Sequence, residues 1–279
     1  MIPATNPDWK FMMKNLADLM SLEGRAALIT GGGGHIGRAM AEALAEIGCD
    51  LCLLDRPGAV LTETQTQLRE KWGVRVEVLG IDLEDEHART TLPQHIASLF
   101  GRLDILVNNA AFVGDSQLQG WGVPFEEQRV DTWRRCLEVN ITAVFHLSQL
   151  MKPMLKAHGN GSIVNISSIY GVLGPDMSLY DGTKMGNPAA YAASKGGMVQ
   201  LTRWLSTVLA PEIRVNCISP GGVFRNQPEV FVGRYIKRTP MGRMAAEEDF
   251  KGAIAYFATD LSSYVTGQNL MVDGGWTAW

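Results

Sequence analysis

The sequence has little cysteine, and this limits the kinds of site it can build. Only four cysteines occur in 279 residues, too few for a disulfide framework. Cys49 and Cys52 stand three positions apart in an apolar run that predicts a buried strand, so their thiols point to opposite faces of a sheet. No second cysteine pair or nearby histidine completes a zinc site. We therefore expect both residues in the core and predict no bound metal.

Long apolar segments and an excess of positive charge are absent as well. No stretch approaches 18 uninterrupted apolar residues, which argues against a transmembrane helix. The net charge of −4 gives no support to a nucleic-acid or membrane-surface partner. Charges also interrupt the first 22 residues, which is unlike a secretory signal, and we expect a cytoplasmic protein. That segment predicts an amphipathic helical extension over 1–22, with apolar residues at Phe11, Met12, Leu16, Leu19 and Met20.

Apolar runs alternate along the chain with stretches of helical periodicity. Strands are predicted at 26–30, 51–54, 74–81, 103–107, 162–166, 213–218 and 269–272. Helices are predicted at 36–47, 60–72, 85–100, 131–157, 190–209 and 247–258. This alternation predicts an α/β protein in which helices cover both faces of a doubly wound, seven-stranded parallel sheet. No linker or repeat divides it, so 23–279 is predicted to be one domain.

Glycine is abundant, at 30 residues, and four glycines stand together after the first strand. The segment from Thr30 to Gly37 reads Thr-Gly-Gly-Gly-Gly-His-Ile-Gly and leads into a helix, a context typical of a loop that binds a pyrophosphate. Asp55 ends the second strand, 18 positions beyond Gly37. A carboxylate there accepts hydrogen bonds from ribose hydroxyls and repels a 2′-phosphate. The pattern therefore predicts a Rossmann fold that prefers NAD, although the neighbouring Arg56 keeps NADP open as the less favoured alternative.

These motifs resemble those of the short-chain dehydrogenase/reductase family over residues 22–275. Further matches, in the family's order, are Asp82, the turn Asn108-Asn109-Ala110, Pro220-Gly221, Val265-Thr-Gly-Gln and Val272-Asp-Gly-Gly275. The resemblance implies an NAD(P)-dependent enzyme acting on CH–OH groups. It implies cofactor contacts at Gly31, Gly34, His35, Ile36, Gly37, Asp55, Arg56, Asp82, Leu83, Asn109, Ala110, Ala111, Tyr191, Lys195, Pro220, Gly221 and Val223.

Two residues depart from the family pattern. His35 stands at a loop position where the family carries glycine, and its imidazole either turns outward or contacts the cofactor. Arg225 stands where many relatives carry a threonine near the nicotinamide carboxamide, although the backbone of Val223 could still serve there. The sequence leaves both questions open.

The family's Tyr-x-x-x-Lys spacing occurs twice, at Tyr180–Lys184 and at Tyr191–Lys195. Ser168 resembles the family's carbonyl-binding serine, and its distance of 12 residues to Tyr180 fits the family better than the 23 residues to Tyr191. However, an i, i+4 pair shares a face only on a helix, and the residues after Tyr180 include two glycines and a proline. The sequence therefore favours Tyr191 and Lys195.

The resemblance then implies a catalytic set of Asn140, Ser168, Tyr191 and Lys195. Ser168 would polarise the substrate oxygen, and Tyr191 would act as general acid or base. Lys195 would lower the pKa of the tyrosine by its charge and reach the nicotinamide ribose. Asn140, in the segment Glu138-Val-Asn140, resembles the helix asparagine that supports a water-mediated proton path in the family.

The choice of Tyr191 leaves an insertion of roughly ten residues within 171–188, either a plain surface loop or, as we prefer, a substrate-facing one. Polar residues in the expected pocket segments favour a sugar-like substrate over a lipid: Asp115, Gln117, Asp176, Asp181, Lys184, Arg225 and Asn226. The insertion and the stretch Ser219-Pro-Gly-Gly-Val-Phe224 are similar to a subgroup linked to bacterial surface-sugar biosynthesis.

Two other functions stay open from the sequence. A 3-oxoacyl-thioester reductase is the alternative enzyme, and a non-catalytic dinucleotide-binding sensor is the alternative class. The complete catalytic set argues against the sensor. The resemblance also implies a homo-oligomer, a dimer or tetramer built through the helices near 131–157 and 190–209.

Overall fold

A computed structural model describes residues 13–112 and 118–279 of the chain. Its centre is one parallel sheet with the strand order β3-β2-β1-β4-β5-β6-β7. The strands are β1 (Ala26–Thr30), β2 (Asp50–Asp55), β3 (Val76–Gly80), β4 (Ile105–Asn108), β5 (Gly161–Ile166), β6 (Ile213–Pro220) and β7 (Asn269–Val272). The predicted seven-stranded Rossmann sheet in a single domain is confirmed. The strand order reverses beside β1, where a doubly wound sheet opens a ligand crevice.

Ten α-helices occur in the described residues. They are α1 (Leu16–Met20), α2 (His35–Glu46), α3 (Thr62–Trp72), α4 (Glu86–Thr90), α5 (Leu92–Phe100), α6 (Val130–Leu137), α7 (Ala143–Lys156), α8 (Ala189–Leu209), α9 (Glu229–Lys237) and α10 (Lys251–Ala258). The helix predicted over 85–100 is divided into α4 and α5, with Pro93 in the first turn of α5. The long helix predicted over 131–157 is interrupted by a π-helical turn, Glu138–Thr142. The sequence prediction did not include α9.

The core has two halves, one on each face of the sheet. Ile29 and Leu53 point into the half covered by α2, α3 and α10, whereas Leu28 and Leu54 point into the half covered by α5, α7 and α8. The strands are apolar on both faces because helices cover both faces. Cys49 lies in the first half and Cys52 in the second, which confirms that their side chains diverge.

The predicted amphipathic extension lies partly outside the described residues, which exclude Phe11 and Met12. Within the described part, α1 is a five-residue helix capped by Asn15, whose side chain accepts a hydrogen bond from the amide of Asp18 at 2.8 Å. Lys14 reaches Asp260 at 3.5 Å and Arg25 reaches the same carboxylate at 2.8 Å. These ion pairs connect the amino-terminal segment to the loop after α10.

Candidate active site

A cavity of about 610 Å³ opens beyond the carboxyl ends of the central strands. Every predicted cofactor-binding residue lines it, and so does Ser168. These lining residues are Gly31, Gly34, His35, Ile36, Gly37, Asp55, Arg56, Asp82, Leu83, Asn109, Ala110, Ala111, Ser168, Tyr191, Lys195, Pro220, Gly221 and Val223. Asn140 is the one predicted site residue outside this lining. The fold therefore brings residues from six strand ends into one crevice.

The glycine loop packs too closely for side chains at two positions. A Cβ on Gly37 would overlap the carbonyl oxygen of Gly31 and would lie 2.8 Å from Nδ2 of Asn109. Gly31 has φ +65°, and a Cβ there would lie 2.9 Å from Cα of Ala110. The loop thus presents bare backbone to the cavity, next to the amino-terminal end of α2. Such a cradle fits the diphosphate of a dinucleotide.

The side chain of Asn109 holds this loop in place. Its Nδ2 donates to the carbonyl oxygens of Thr30 and Gly31, each at 3.0 Å. The hydroxyl of Thr30 accepts from the amides of Asn109 and Ala110 at 3.1 and 3.0 Å. The loop after β4 and the glycine loop after β1 are therefore one hydrogen-bonded unit.

The carboxylate of Asp55 is fixed at the cavity by two backbone amides. Oδ2 accepts from the amide of Gly33 at 2.9 Å and Oδ1 accepts from the amide of Arg56 at 2.8 Å. Both oxygens keep further lone pairs, since a carboxylate accepts about four hydrogen bonds. The side chain of Arg56 is exposed. This end of the cavity fits an adenosine ribose with free hydroxyls.

Ser168 and Tyr191 both line the cavity, close enough that the serine lowers the pKa of the phenol. Ser168 follows β5, and its oxygen accepts a hydrogen bond from the amide of Tyr170 at 3.2 Å. Because that amide occupies one lone pair of Oγ, the hydroxyl proton of Ser168 is free to point toward the phenol. Tyr191 lies in the first turn of α8, whose amino-terminal end faces the same crevice.

Burial shifts the pKa values of Tyr191 and Lys195 in opposite directions. It raises the pKa of Tyr191, and the hydrogen bond from Ser168 acts against this shift. It lowers the pKa of Lys195 to about 8. Nζ of Lys195 lies 5.7 Å from the ring centroid of Tyr191 and donates to the carbonyl oxygen of Ile166 at 2.7 Å. Desolvation of the phenolate is therefore the largest influence on the pKa of Tyr191 in this structure, and it exceeds the opposing interaction with Ser168.

Asn140 lies behind the cavity, fully buried in the π-helical turn. Its Oδ1 accepts from the amide of Phe112 at 2.6 Å, and its Nδ2 donates to Oγ of Ser194 at 3.0 Å. Ser194 directly precedes Lys195 on α8. The structure thus connects Asn140 to the lysine through a neighbouring serine, a contact that the sequence alone did not predict.

The two residues that depart from the family pattern meet at one carboxylate. Nε of Arg225 lies 3.3 Å from Oε1 of Glu247, and Nδ1 of His35 lies 3.8 Å from the same oxygen. The imidazole of His35 is turned outward, with 69% of its side chain exposed. Sequence analysis missed Glu247, because 22 residues separate it from Arg225 and no motif marks it.

The insertion over 171–188 packs against α9. Nη1 of Arg234 donates to the carbonyl oxygen of Asp181 at 2.5 Å, and Arg238 forms an ion pair with Asp176. The hydroxyl of Tyr180 lies 2.8 Å from that of Tyr170. Of the polar residues that suggested a sugar-like substrate, Asp115 and Gln117 lie outside the described residues, and among the others only Arg225 lines the cavity.

The described part of the chain contains neither a membrane-spanning helix nor a cluster of metal-ligating side chains. None of the helices at 13–112 and 118–279 is long and apolar enough to cross a membrane. Within the same ranges, no group of three or more histidine, cysteine, aspartate or glutamate residues could hold a metal ion.

Comparison with known proteins places this site in a family. A family model described as enoyl-(acyl carrier protein) reductase matches residues 33–277. A tropinone reductase homologue of Arabidopsis thaliana is 34% identical over 92% of this chain and 94% of its own length. The 3-oxoacyl-[acyl-carrier-protein] reductase of Thermotoga maritima is 31% identical over 92% of this chain and 99% of its own.

Solved structures show the same fold along nearly the whole chain. A gluconate 5-dehydrogenase from Burkholderia cenocepacia, in complex with NADP and tartrate, superposes with a TM-score of 0.83 at 29% identity and covers 95% of this chain and 100% of that one. A NAD⁺-bound xylitol dehydrogenase superposes with a TM-score of 0.80 at 32% identity and covers 91% and 99%. The chain belongs to the short-chain dehydrogenase/reductase family. It is an oxidoreductase of that family, whose members act on alcohol and carbonyl groups.

Proposed function

We propose that this chain interconverts a secondary alcohol and a ketone with NAD(H), that Tyr191 is the general acid or base, and that the substrate is polar and sugar-like. One observation carries the proposal. The Ser168–Tyr191 pair and the buried Lys195 line the same cavity as the glycine loop and Asp55. The cofactor end and the proton-transfer end of a dehydrogenase site are therefore continuous.

The residues divide the chemistry among them. Ser168 donates a hydrogen bond to the substrate oxygen, and Tyr191 takes or returns the proton of the alcohol. Lys195 is still mostly protonated at pH 7, because its pKa of about 8 lies above that pH, so its charge favours the phenolate. Asn140 holds Ser194 and thereby the turn that carries the lysine. When bound, the nicotinamide supplies the hydride or accepts it.

The preference for NAD is supported by the fixed carboxylate of Asp55. Its two amide contacts hold a negative charge where a 2′-phosphate would have to lie. The side chain of Arg56 lines the same cavity but is exposed, so water and salt weaken its effect on that charge. Relatives of this fold include both NAD⁺-bound and NADP-bound proteins, so the choice depends on this chain's own residues.

A polar substrate is supported by further polar residues in the cavity lining. Ser167 and Gln227 line the same cavity as Tyr191, and each keeps hydrogen-bonding capacity for a substrate hydroxyl beyond its own contacts. Two of the structural relatives are named for gluconate and xylitol, which are polyhydroxy compounds. The link to bacterial surface-sugar biosynthesis stays a prediction from the insertion sequence.

The alternative substrate is a 3-oxoacyl thioester, in keeping with the Thermotoga relative. Turnover of an acyl thioester in preference to polyols, sugars and sugar phosphates would select that alternative. Turnover of none of these, with normal dinucleotide binding, would favour the sensor.

A homo-oligomer in the cytoplasm is part of the same proposal. Apolar side chains are exposed on the helices expected at an interface, namely Phe145 on α7 and Trp204 and Val208 on α8. The four cysteines are free and buried, in keeping with a reducing compartment. A native mass equal to one 30.5 kDa chain would exclude the oligomer.

Binding of NADH and NADPH to the wild type and to Asp55→Ala, measured by fluorescence titration, tests the cofactor assignment. We expect NADH to bind at least about tenfold more tightly than NADPH, a difference of about 1.4 kcal/mol, and the gap to narrow in the variant. Asp50→Ala, at the opposite end of the same strand, is the matched control and should keep the wild-type ratio. Tighter binding of NADPH to the wild type would overturn the NAD preference.

A further inference from the structure

We propose that Arg225 is a ligand for the diphosphate of the dinucleotide and that Glu247 competes with the diphosphate for it. This inference rests on the proposed function. It concerns a small cluster of Arg225, Glu247 and His35, in which Glu247 lies between two residues of the cavity lining.

The cluster is held in place by the backbone. The amide of Phe224 donates to the carbonyl oxygen of Ala245, and the amide of Ala245 donates to that of Gly222, each at 2.9 Å. These bonds join the loop after β6 to the segment that leads into Glu247. The ion pair between Arg225 and Glu247 therefore follows from a fixed backbone pairing rather than from two unconstrained side chains.

The loop that carries Arg225 is also braced internally. Oε1 of Gln227 accepts from the amide of Arg225 at 2.7 Å, and its Nε2 donates to the carbonyl oxygen of Val223 at 2.8 Å. Asn226, between them, has φ +56°, a left-handed conformation that tightens the turn. The guanidinium can thus change partners by side-chain rotation while the loop keeps its shape.

Position and charge identify the group that Arg225 would bind. His35 begins α2 beside the glycine cradle, and Arg225 lines the same cavity. Both side chains approach the same oxygen of Glu247, which places Arg225 close to the cradle. The part of a dinucleotide that spans such a cradle is its diphosphate, which carries negative charge. A guanidinium matches phosphate oxygens in pairs and is suited to this contact.

The present partner of Arg225 is well suited to exchange. The side chains of Arg225 and Glu247 are 40% and 32% exposed, so water and salt weaken their attraction. A diphosphate in the cradle offers more negative charge in a less exposed place. Glu247 would then lower cofactor affinity and speed cofactor release, and the guanidinium would move from the carboxylate to the phosphate oxygens.

Equilibrium titration and stopped-flow dissociation of NADH test this without turnover. We expect Glu247→Gln to tighten NADH binding by about three- to tenfold, mainly through slower dissociation, and Arg225→Met to weaken it by a similar factor. Glu248→Gln removes one negative charge from the exposed neighbouring residue. We expect it to change NADH affinity by less than a third of the change that Glu247→Gln causes. Arg225→Lys, which keeps the charge but not the paired donors, should fall between the wild type and Arg225→Met.

The double variant decides whether Glu247 acts through Arg225. In the Arg225→Met background, Glu247→Gln should no longer tighten binding. If the tightening persists there, or if Glu248→Gln reproduces it, the effect is general charge removal and the proposal is wrong. If the wild type binds neither NADH nor NADPH, the proposed function fails instead.

Discussion

Two segments of this chain carry a tyrosine four residues before a lysine, and the fold uses them differently. Tyr191 and Lys195 lie on α8, and both line the cavity. Tyr180 ends a 3₁₀ turn, and Lys184 is exposed beyond it. Gly182, between the latter two, has φ +72°, which no α-helix contains. Equal spacing therefore gives a shared face only where the backbone is helical throughout.

The surroundings of the two tyrosines differ as much as their backbones. The phenol of Tyr191 lines the cavity beside Ser168, whereas the hydroxyl of Tyr180 pairs with that of Tyr170. The ring of Tyr180 packs against Phe231 on α9, with centroids 5.5 Å apart. One tyrosine thus lines the cavity beside Ser168, where we propose that it transfers a proton, and the other helps to attach the insertion to α9.

Removing the hydroxyl of each tyrosine is the strongest test of the proposal that Tyr191, and not Tyr180, is catalytic. We expect Tyr191→Phe to lower kcat by roughly 10²- to 10⁴-fold, the usual contribution of a positioned acid or base, while NADH still binds. Tyr180→Phe should lower kcat severalfold at most. Steady-state oxidation of NADH with an accepted ketone measures both. The reverse order of effects would assign catalysis to the insertion.

The two lysines should differ in how they couple stability to pH. Burial lowers the pKa of Lys195 from 10.5 to about 8, so between these values the unfolded chain binds the extra proton. The contribution of Lys195 to the free energy of unfolding therefore increases by up to about 3 kcal/mol as the pH rises from 8 to 10.5.

Lys195→Met removes that contribution. The free energy of unfolding of the variant should exceed that of the wild type by most near pH 7.5, and the excess should vanish by pH 10.5. Urea unfolding at a series of pH values measures this difference. Titrating groups that do not interact with Lys195 affect both proteins alike and cancel in the difference. Lys184→Met, at an exposed site, is the control and should follow the wild type. A pH-independent difference for Lys195→Met would mean that its amine is not desolvated.

The smallest expected effect concerns the turn that prevents a helix at Tyr180. Gly182→Ala places a Cβ on a left-handed residue, which costs about 1–2 kcal/mol and should lower Tm by a few degrees. Gly174→Ala is the matched control in the same insertion, because Gly174 lies outside the left-handed region and a Cβ there has open space. Equal Tm values for the two variants would show that the turn tolerates a side chain.

Much of the fold could be predicted because its signals are local. β1 and β7 begin and end at the predicted residues, since short apolar runs between polar turns determine them. The π-helical turn at Asn140 could not be predicted, because it inserts one residue without a distinctive composition. α9 was missed because it is short, with nine residues between Pro228 and Arg238. It also packs against Tyr180 and Trp276, which come from distant parts of the chain.

The distinction between local signals and contacts across the chain also explains which site residues could be predicted. Residues such as Gly37, Asp55 and Tyr191 belong to motifs, so their positions in the cavity followed from the order of the strands. Glu247 and Ser194 act through side-chain contacts that cross between elements, which no spacing rule describes. The outward turn of His35 also depends on such a contact.

The attachment of the insertion to α9 has a consequence for how the insertion could be transferred between relatives. Arg234 lies on α9 and Arg238 directly follows it, and both bind residues of the insertion. A graft of 171–188 alone onto another member of the family would leave its carbonyls and Asp176 without these cations. The portable unit is therefore the insertion together with α9, two stretches that are separated in sequence by the whole of α8 and β6.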